Sequence, residues 1–296
     1  MRYPKRPVWR FGGLKRMFWA LATAITLHLA AGMAPSKPAA AANTAPSSFS
    51  SYQNPSYDSE AERQLLEMAN ADRTRTGLPP LRMDDGLVRA ARLHAAEMAS
   101  QHQLSHQFSG EPSLIDRISA SATLHLSRAG ENVAMATTPE DAHQALMSSP
   151  PHRDNLLSPN FNVAGIGVFR SGNRLYVAQD FGSSMTTYSV QQAQELVSES
   201  IEQLRKQARM RRLQRVDDGS MHSTACAMAE ADSLSAASPP QGAYILRYTS
   251  MQPESLPSNI SKVIAQRGLH TYSAGTCYSR TQKYPNGAYW VVLVFY

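Results

Sequence analysis

Apolar residues recur at three- and four-residue intervals in three stretches, which the 3.6-residue period of a helix explains. Ala61, Leu65, Met68 and Ala69 follow the capping box Ser59-x-x-Glu62, and Gly77 with Pro79-Pro80 ends that run. Leu87, Ala91, Ala95 and Met98 form a second stripe, beginning after Asp84 or Asp85 and ending near His102. Val190, Ala193, Val197, Ile201, Leu204 and Ala208 form a third, predicting a helix over 190–213. Two shorter helices are expected. One spans Ser113 to Ala120; the other starts at Thr138-Pro139-Glu140-Asp141, with Pro and acids in its first turn, and stops at Pro150-Pro151.

Strand patterns fill the gaps. Glu131–Met135 reads as a short strand, and Val163–Arg170 and Arg174–Phe181 as a hairpin closed by Ser171-Gly172-Asn173. Tyr289–Phe295 is apolar throughout, as in a strand buried on both faces, and Pro285-Asn286-Gly287 ahead of it is a tight turn. Ala164-Gly165 leading to Tyr176 and Phe181 has a faint echo in Ala274-Gly275 leading to Tyr289 and Phe295. Duplication would explain it; chance likeness between two hairpins is the simpler expectation.

Charge divides the chain. The net charge is +6, yet residues 1–42 hold seven basic side chains and no acid, which leaves −1 for the remainder. That removes the main support for a nucleic-acid partner. The basic stretch to Arg16, the apolar run Met17–Ala34 and the small residues Ala39–Ala42 make a secretory signal with a cleavage site. Uncleaved, the run would be a membrane contact. Residues 43–58, rich in Ser, Pro, Ala and Asn, follow as a flexible linker. The expected organisation is an α+β domain at 59–184, a connecting helix at 185–215 and a small α+β domain at 216–296. The basic tail of the connecting helix (Arg205, Lys206, Arg209, Arg211, Arg212, Arg215) is expected to be a solvated face, in preference to a membrane-surface or anionic-polymer contact. Export places the two cysteines, Cys226 and Cys277, in an oxidising compartment where they are expected to pair; closing that loop is worth at most roughly 4 kcal/mol in the chain-entropy model.

Three polar side chains stand at element ends: His106 after the second helix, Glu131 after Gly130, and His152 after the double proline. Brought into one cleft, two imidazoles and a carboxylate suit either an open divalent-metal site or a metal-free hydrogen-bonded cluster. Glu131 and Asn155 serve equally as loop-fixing groups. His94 with Glu97 is expected to flank an ordinary helix stripe, and His102, His125, His143, His222 and His270 to lie at the surface. Ser149 beside His152 does not make a nucleophile–base pair by adjacency alone.

Over about residues 59–182 the chain resembles the CAP superfamily of cysteine-rich secretory proteins, antigen 5 and pathogenesis-related proteins, in a bacterial form. The matching stretches, in order, are Asn70-x-x-Arg73-x-x-x-Gly77-Leu78-x-x-Leu81, Ala90-Ala91-x-x-His94-Ala95-x-x-Met98-Ala99, Ser105-His106, Gly130-Glu131-Asn132-Val133-Ala134, Ser149-Pro150-Pro151-His152-Arg153-x-Asn155-Leu156-Leu157, Gly165-Ile166-Gly167-Val168 and Tyr176-x-x-Gln179-x-Phe181. The resemblance implies a three-layer α-β-α sandwich whose cleft carries His106, Glu131 and His152, with Ser149 where many relatives have a second acid and Leu146 where Trp is usual. It further implies an exported module that binds a lipid, glycan or protein. The alternatives are a divalent-metal hydrolase, with His106 and His152 holding zinc or a similar cation and Glu131 as general base, and an envelope scaffold recognising its partner through 216–296.

Overall fold

In a computed structural model the described residues are 57–216, 219–235 and 244–296. The expected signal segment and nearly all of the linker lie outside them. No described helix is long and apolar enough to cross a membrane.

The first half runs α1 (Ser59–Arg75), β1 (Arg82–Met83), α2 (Asp85–Gln101), α3 (Leu114–Ser121), β2 (His125–Ala136), α4 (Pro139–Ser148), α5 (Pro150–Leu156), β3 (Val163–Ser171) and β4 (Arg174–Met185). Polar side chains cap the helix starts as the sequence suggests. Asp84 accepts from the Gly86 and Leu87 amides, Ser113 from Asp116 and Thr138 from Asp141. At α1 the cap is Asp58 and not Ser59. The double proline ends α4 but also opens α5, since Pro at the first helical position gives up only an amide that lacks a partner there.

The four strands are ordered β1-β3-β4-β2, with β1 parallel to β3 and the other pairs antiparallel. α1, α4 and α5 pack on one face around Leu65, Leu146, Leu156, Ile166 and Phe181; α2 packs on the other through Ala91, Ala95 and Met98 against Val133, Tyr176 and Ala178. This is the expected three-layer sandwich. α2 comes so close to the sheet that a β-carbon on Gly165 would lie 2.1 Å from the Leu87 carbonyl carbon.

The second half repeats the plan. α6 (Val190–Gln207), β5 (Gln214–Arg215), α7 (Ser220–Glu230), β6 (Tyr244–Ser250), α8 (Ile260–Ile264), β7 (Thr271–Ser279) and β8 (Ala288–Phe295) build a sheet ordered β5-β7-β8-β6, again with only the first pair parallel. The likeness reaches individual residues. Buried Arg73 donates from Nε to the Pro79 carbonyl and from its terminal nitrogens to Leu156, Ser158 and Phe161; buried Arg205 donates likewise to Arg211, Ile264 and Gln266. The Leu78 and Met210 amides bond back to Arg73 and Arg205 respectively. Gly275 lets α7 approach the sheet as Gly165 does α2, its hypothetical β-carbon falling 2.0 Å from the Met221 oxygen. The faint echo between hairpins is therefore one part of a repeated fold, too diverged for a single pair of motifs to reveal.

Two expectations change accordingly. α6 is not a connector: Ala193, Val197 and Ile201 enter a core with Tyr248, Tyr272, Leu293 and Phe295, so the helix is the first element of the second half. It also ends at Gln207, before the predicted 213, and Arg205 in its tail is buried rather than solvated. Cys226 and Cys277 are paired as expected, with α-carbons 5.1 Å apart, tying α7 to β7.

Arg280 of the second half reaches the carbonyls of Ser119 and Ala122 in the first. His125, expected at the surface, is buried edge-on against Tyr278 and Tyr289. Burial holds its pKa below the ordinary histidine value. The folded protein thus keeps His125 neutral, whereas the unfolded chain takes up a proton near pH 6.5. Its contribution to stability is full above that pH and is lost as the pH falls. Urea midpoints measured from pH 7.5 to 5 should fall on acidification, and less steeply in His125→Phe. The close approaches give a second expectation. Gly165→Ala and Gly275→Ala should each cost about 3 kcal/mol or more in urea denaturation, because backbone has to move to admit the methyl group.

Candidate functional site

β2 is an edge strand, so groups carried by the helical layers on both faces of the sheet can meet across it. Glu131 and Asn132 are adjacent on β2 and point to opposite faces. Gly130 before them has no room for a side chain: a β-carbon would lie 2.9 Å from the Phe161 ring and 3.3 Å from Asn155 Oδ1.

On the α2 side, Glu131 is 8 % exposed and both of its oxygens are engaged. Oε1 accepts from His106 Nδ1 at 2.9 Å, and Oε2 accepts from Arg117, the buried guanidinium of α3. Arg117 also donates to the Pro112 carbonyl at 3.1 Å. Since Nδ1 of His106 donates to a carboxylate, the neutral ring carries its lone pair on Nε2. His106 itself is largely exposed, which makes that nitrogen the site's outward-facing acceptor.

Beneath this lies a second layer. His94 is wholly buried, with Nδ1 2.6 Å from Glu111 Oε1 and Nε2 2.9 Å from the Ser105 carbonyl. The two ring nitrogens thus lie between a carboxylate on one side and a backbone carbonyl on the other. Glu111 also accepts from the Phe108 amide and stands 3.6 Å from Arg117. Opposite Glu131 in the ladder is Asp180 of β4, fully buried and with no donor on either oxygen. Burial first, and then the Glu131 charge, raise its pKa well above the usual carboxylate range. Both effects disfavour the ionised form of Asp180.

On the other face, Asn132 donates to the His152 carbonyl at 3.0 Å and to Gln179 Oε1 at 3.2 Å. Asn155 donates to Asn132 Oδ1 and to the Glu131 carbonyl, so amides fix α5 against β2. The His152 ring comes to rest 6.2 Å, centroid to centroid, from that of His106. Burial, and then the positive charge His106 can carry, depress the His152 pKa.

The sequence-selected trio His106, Glu131 and His152 therefore converges. Ser149 lies half-buried at the junction of α4 and α5, and its side chain caps neither helix. Asn155 is a positioning group, as its loop-fixing reading anticipated. Glu131 is not: its partners are side chains. His94 departs from expectation, being a buried member of the network instead of the flank of a stripe. His143, half-buried, pairs with Asp72, and His222 with the Thr276 carbonyl. Glu111, Arg117 and Asp180 were not singled out from sequence. Asp180 alone left a trace there, as the one acid in the mostly apolar run Leu175–Phe181.

Residues 66–192 match the profile of the cysteine-rich secretory protein (CAP) family. The Bacillus subtilis protein YkwD is 36 % identical over 131 residues, 44 % of this chain and 47 % of that protein. The membrane protein YlbC of the same organism is 30 % identical over 41 % of this chain and 34 % of its own length, so the chain spans less than half the length of either relative. Among solved structures, an extracellular Bacillus anthracis protein containing an SCP domain is 28 % identical over 42 % of this chain and 41 % of its own, with a TM-score of 0.38. An outer surface protein of Borrelia burgdorferi is 18 % identical over 44 % and 99 %, with a TM-score of 0.41. With the sandwich, the ordered motifs and this profile match in agreement, residues 66–192 carry a domain of the CAP family.

Proposed function

We propose that this chain is an exported binding module that holds a hydroxyl- or amide-bearing ligand, a glycan or a peptide, at the His106/Glu131/His152 cleft. The observation that carries this reading is the engagement of Glu131. With one oxygen on His106 and the other on Arg117, it orients an imidazole and leaves no free oxygen to act as a general base. The cleft then presents two imidazoles side by side at an open sheet edge.

As a divalent-cation centre the same residues fit poorly. Two imidazoles are available, fewer than the three protein ligands a catalytic zinc keeps, and Glu131 beside them is already paired with a guanidinium. No cluster of three or more His, Cys, Asp or Glu suited to a metal occurs among the described residues. Export rests on the basic, apolar and small-residue order of residues 1–42 and accords with the extracellular and outer-surface relatives.

Three outcomes are expected. Calorimetric titration of the full chain with zinc should give no site tighter than roughly 10 μM that both His106→Ala and His152→Ala abolish; such a site would reinstate the metal reading. Glycan and peptide arrays should return ligands that weaken about tenfold or more in both variants. Retention should fall as the pH drops below the ordinary histidine range, where His152, its pKa depressed by burial, gains a proton. Hits indifferent to both variants would move the binding surface elsewhere. Finally, Glu131→Gln should destabilise the fold by about 3–5 kcal/mol, since it strands buried Arg117. Asp180→Asn, which removes a carboxyl group that no donor reaches, should cost far less in the same denaturation series.

A further inference from the structure

The corner that each buried arginine ties together differs between the two halves in a way the fold does not require. In the first half, Arg73 gathers the loops Thr76–Pro80 and Leu157–Phe161, neither of which holds an ionisable side chain. In the second half, Arg205 gathers Ala208–Arg212 and Gln266–His270 by matching bonds. Those loops carry Arg209, Arg211, Arg212, Arg267 and His270, all exposed. They line an open groove of about 620 Å³ with no carboxylate on its walls. Arg212 pairs with Glu202 outside the groove; among the described residues Arg209, Arg211 and Arg267 have no acidic partner.

The backbone adds a second sign. Arg209 sits in the left-handed region at φ 56°, where its counterpart in the first half is Gly77 at φ 80°. A large side chain in this conformation is a strain that glycine would relieve, and strain of this kind collects at functional positions. The Arg205 guanidinium is spent on carbonyls and is inaccessible, so it shapes the groove without serving it.

From this convergence we infer that the groove is a binding site for a linear polymer bearing phosphate groups, distinct from the histidine cleft. Guanidinium forks match phosphate oxygens in pairs. A single phosphate would leave most of these cations unneutralised, which points to several phosphates on one chain. A membrane surface fits less well. The apolar residues of the groove, Met210 and Leu269, are half-buried and buried, and provide no anchor.

The test uses the full chain and fluorescently labelled inorganic polyphosphate, followed by anisotropy at several salt concentrations. The triple variant R209G/R211Q/R267Q is compared with R82Q/R128Q/R174Q, which removes the same charge from exposed sites in the first half. The groove variant should lose at least about tenfold in affinity, and the slope of log K against log salt should shrink by about 2, while the control changes less than about twofold. The single variant R209G relieves backbone strain, so it should fold at least as well as the parent and still weaken binding about threefold. It keeps the test informative should the triple variant fold poorly. Equal losses in groove and control variants would show unspecific charge attraction and overturn the site, as would absent binding or loss confined to neither variant. Binding to vesicles of anionic and zwitterionic lipid but not to polyphosphate would overturn it in favour of a membrane surface.

Discussion

A buried guanidinium without a carboxylate partner is the contact on which each half of this protein depends. Arg73 is wholly buried, and its nitrogens are satisfied by four backbone carbonyls from two loops far apart in sequence. Burial lowers its pKa, yet an arginine remains charged at any ordinary pH. The arrangement is stable because hydrogen bonds to a charged donor are worth roughly 1.5–3 kcal/mol each and because the carbonyls at these loop ends otherwise lack partners. Fixing the loop after α5 also fixes the helix that carries His152. The distance from this arginine to the cleft is therefore bridged by a rigid element, and the cleft inherits its geometry from a contact at the other end of α5.

At the cleft the same economy of charge applies with acids present. Arg117 and Glu131 neutralise one another, Glu111 holds the buried His94 ring, and burial together with the Glu131 charge raises the Asp180 pKa well above the usual carboxylate range. Burial and a neighbouring like charge both disfavour the ionised form of a carboxyl group. The exposed nitrogen of His106 is then the outermost point of a chain of hydrogen bonds that runs into the sheet, and its tautomer is set by buried groups and not by solvent.

Much of this was legible because local rules and global fold agree. Helices with a strong cap and a clean stripe, such as 85–101, are placed to within a residue, and ordered motifs mark His106, Glu131 and His152 as a set. What sequence could not show has a physical cause in each case. β2 is twelve residues long, but only Glu131–Met135 reads as strand, because the pairing of His125–Gly130 with β4 comes from the partner and not from propensity. His125 looked like a surface group because its burial depends on Tyr278 and Tyr289, some 150 residues away. Glu111 and Arg117 stand in a loop and a short helix with no pattern of their own, and only tertiary contact gives them meaning.

The two halves, set on one plan, show which parts of it are scaffold. Strand register aligns Asp180 with Val292 and Gln179 with Val291, each pair standing at the same ladder position relative to Gly165 or Gly275. The same reckoning aligns Glu131 with Arg247 and Asn132 with Tyr248. β8 is buried along its whole length and carries no ionisable carboxylate, so the polar network that supports the first cleft has no equivalent in the second half. The arginine knot and the close-approach glycine persist in both, because without them the layers do not pack. A disulfide joins α7 to β7 where, in the first half, Gly167 lets α2 touch the sheet. Conserving the knot while exchanging the side chains around it allows the charge of one half to concentrate at its cleft and that of the other at the corner beside Arg205.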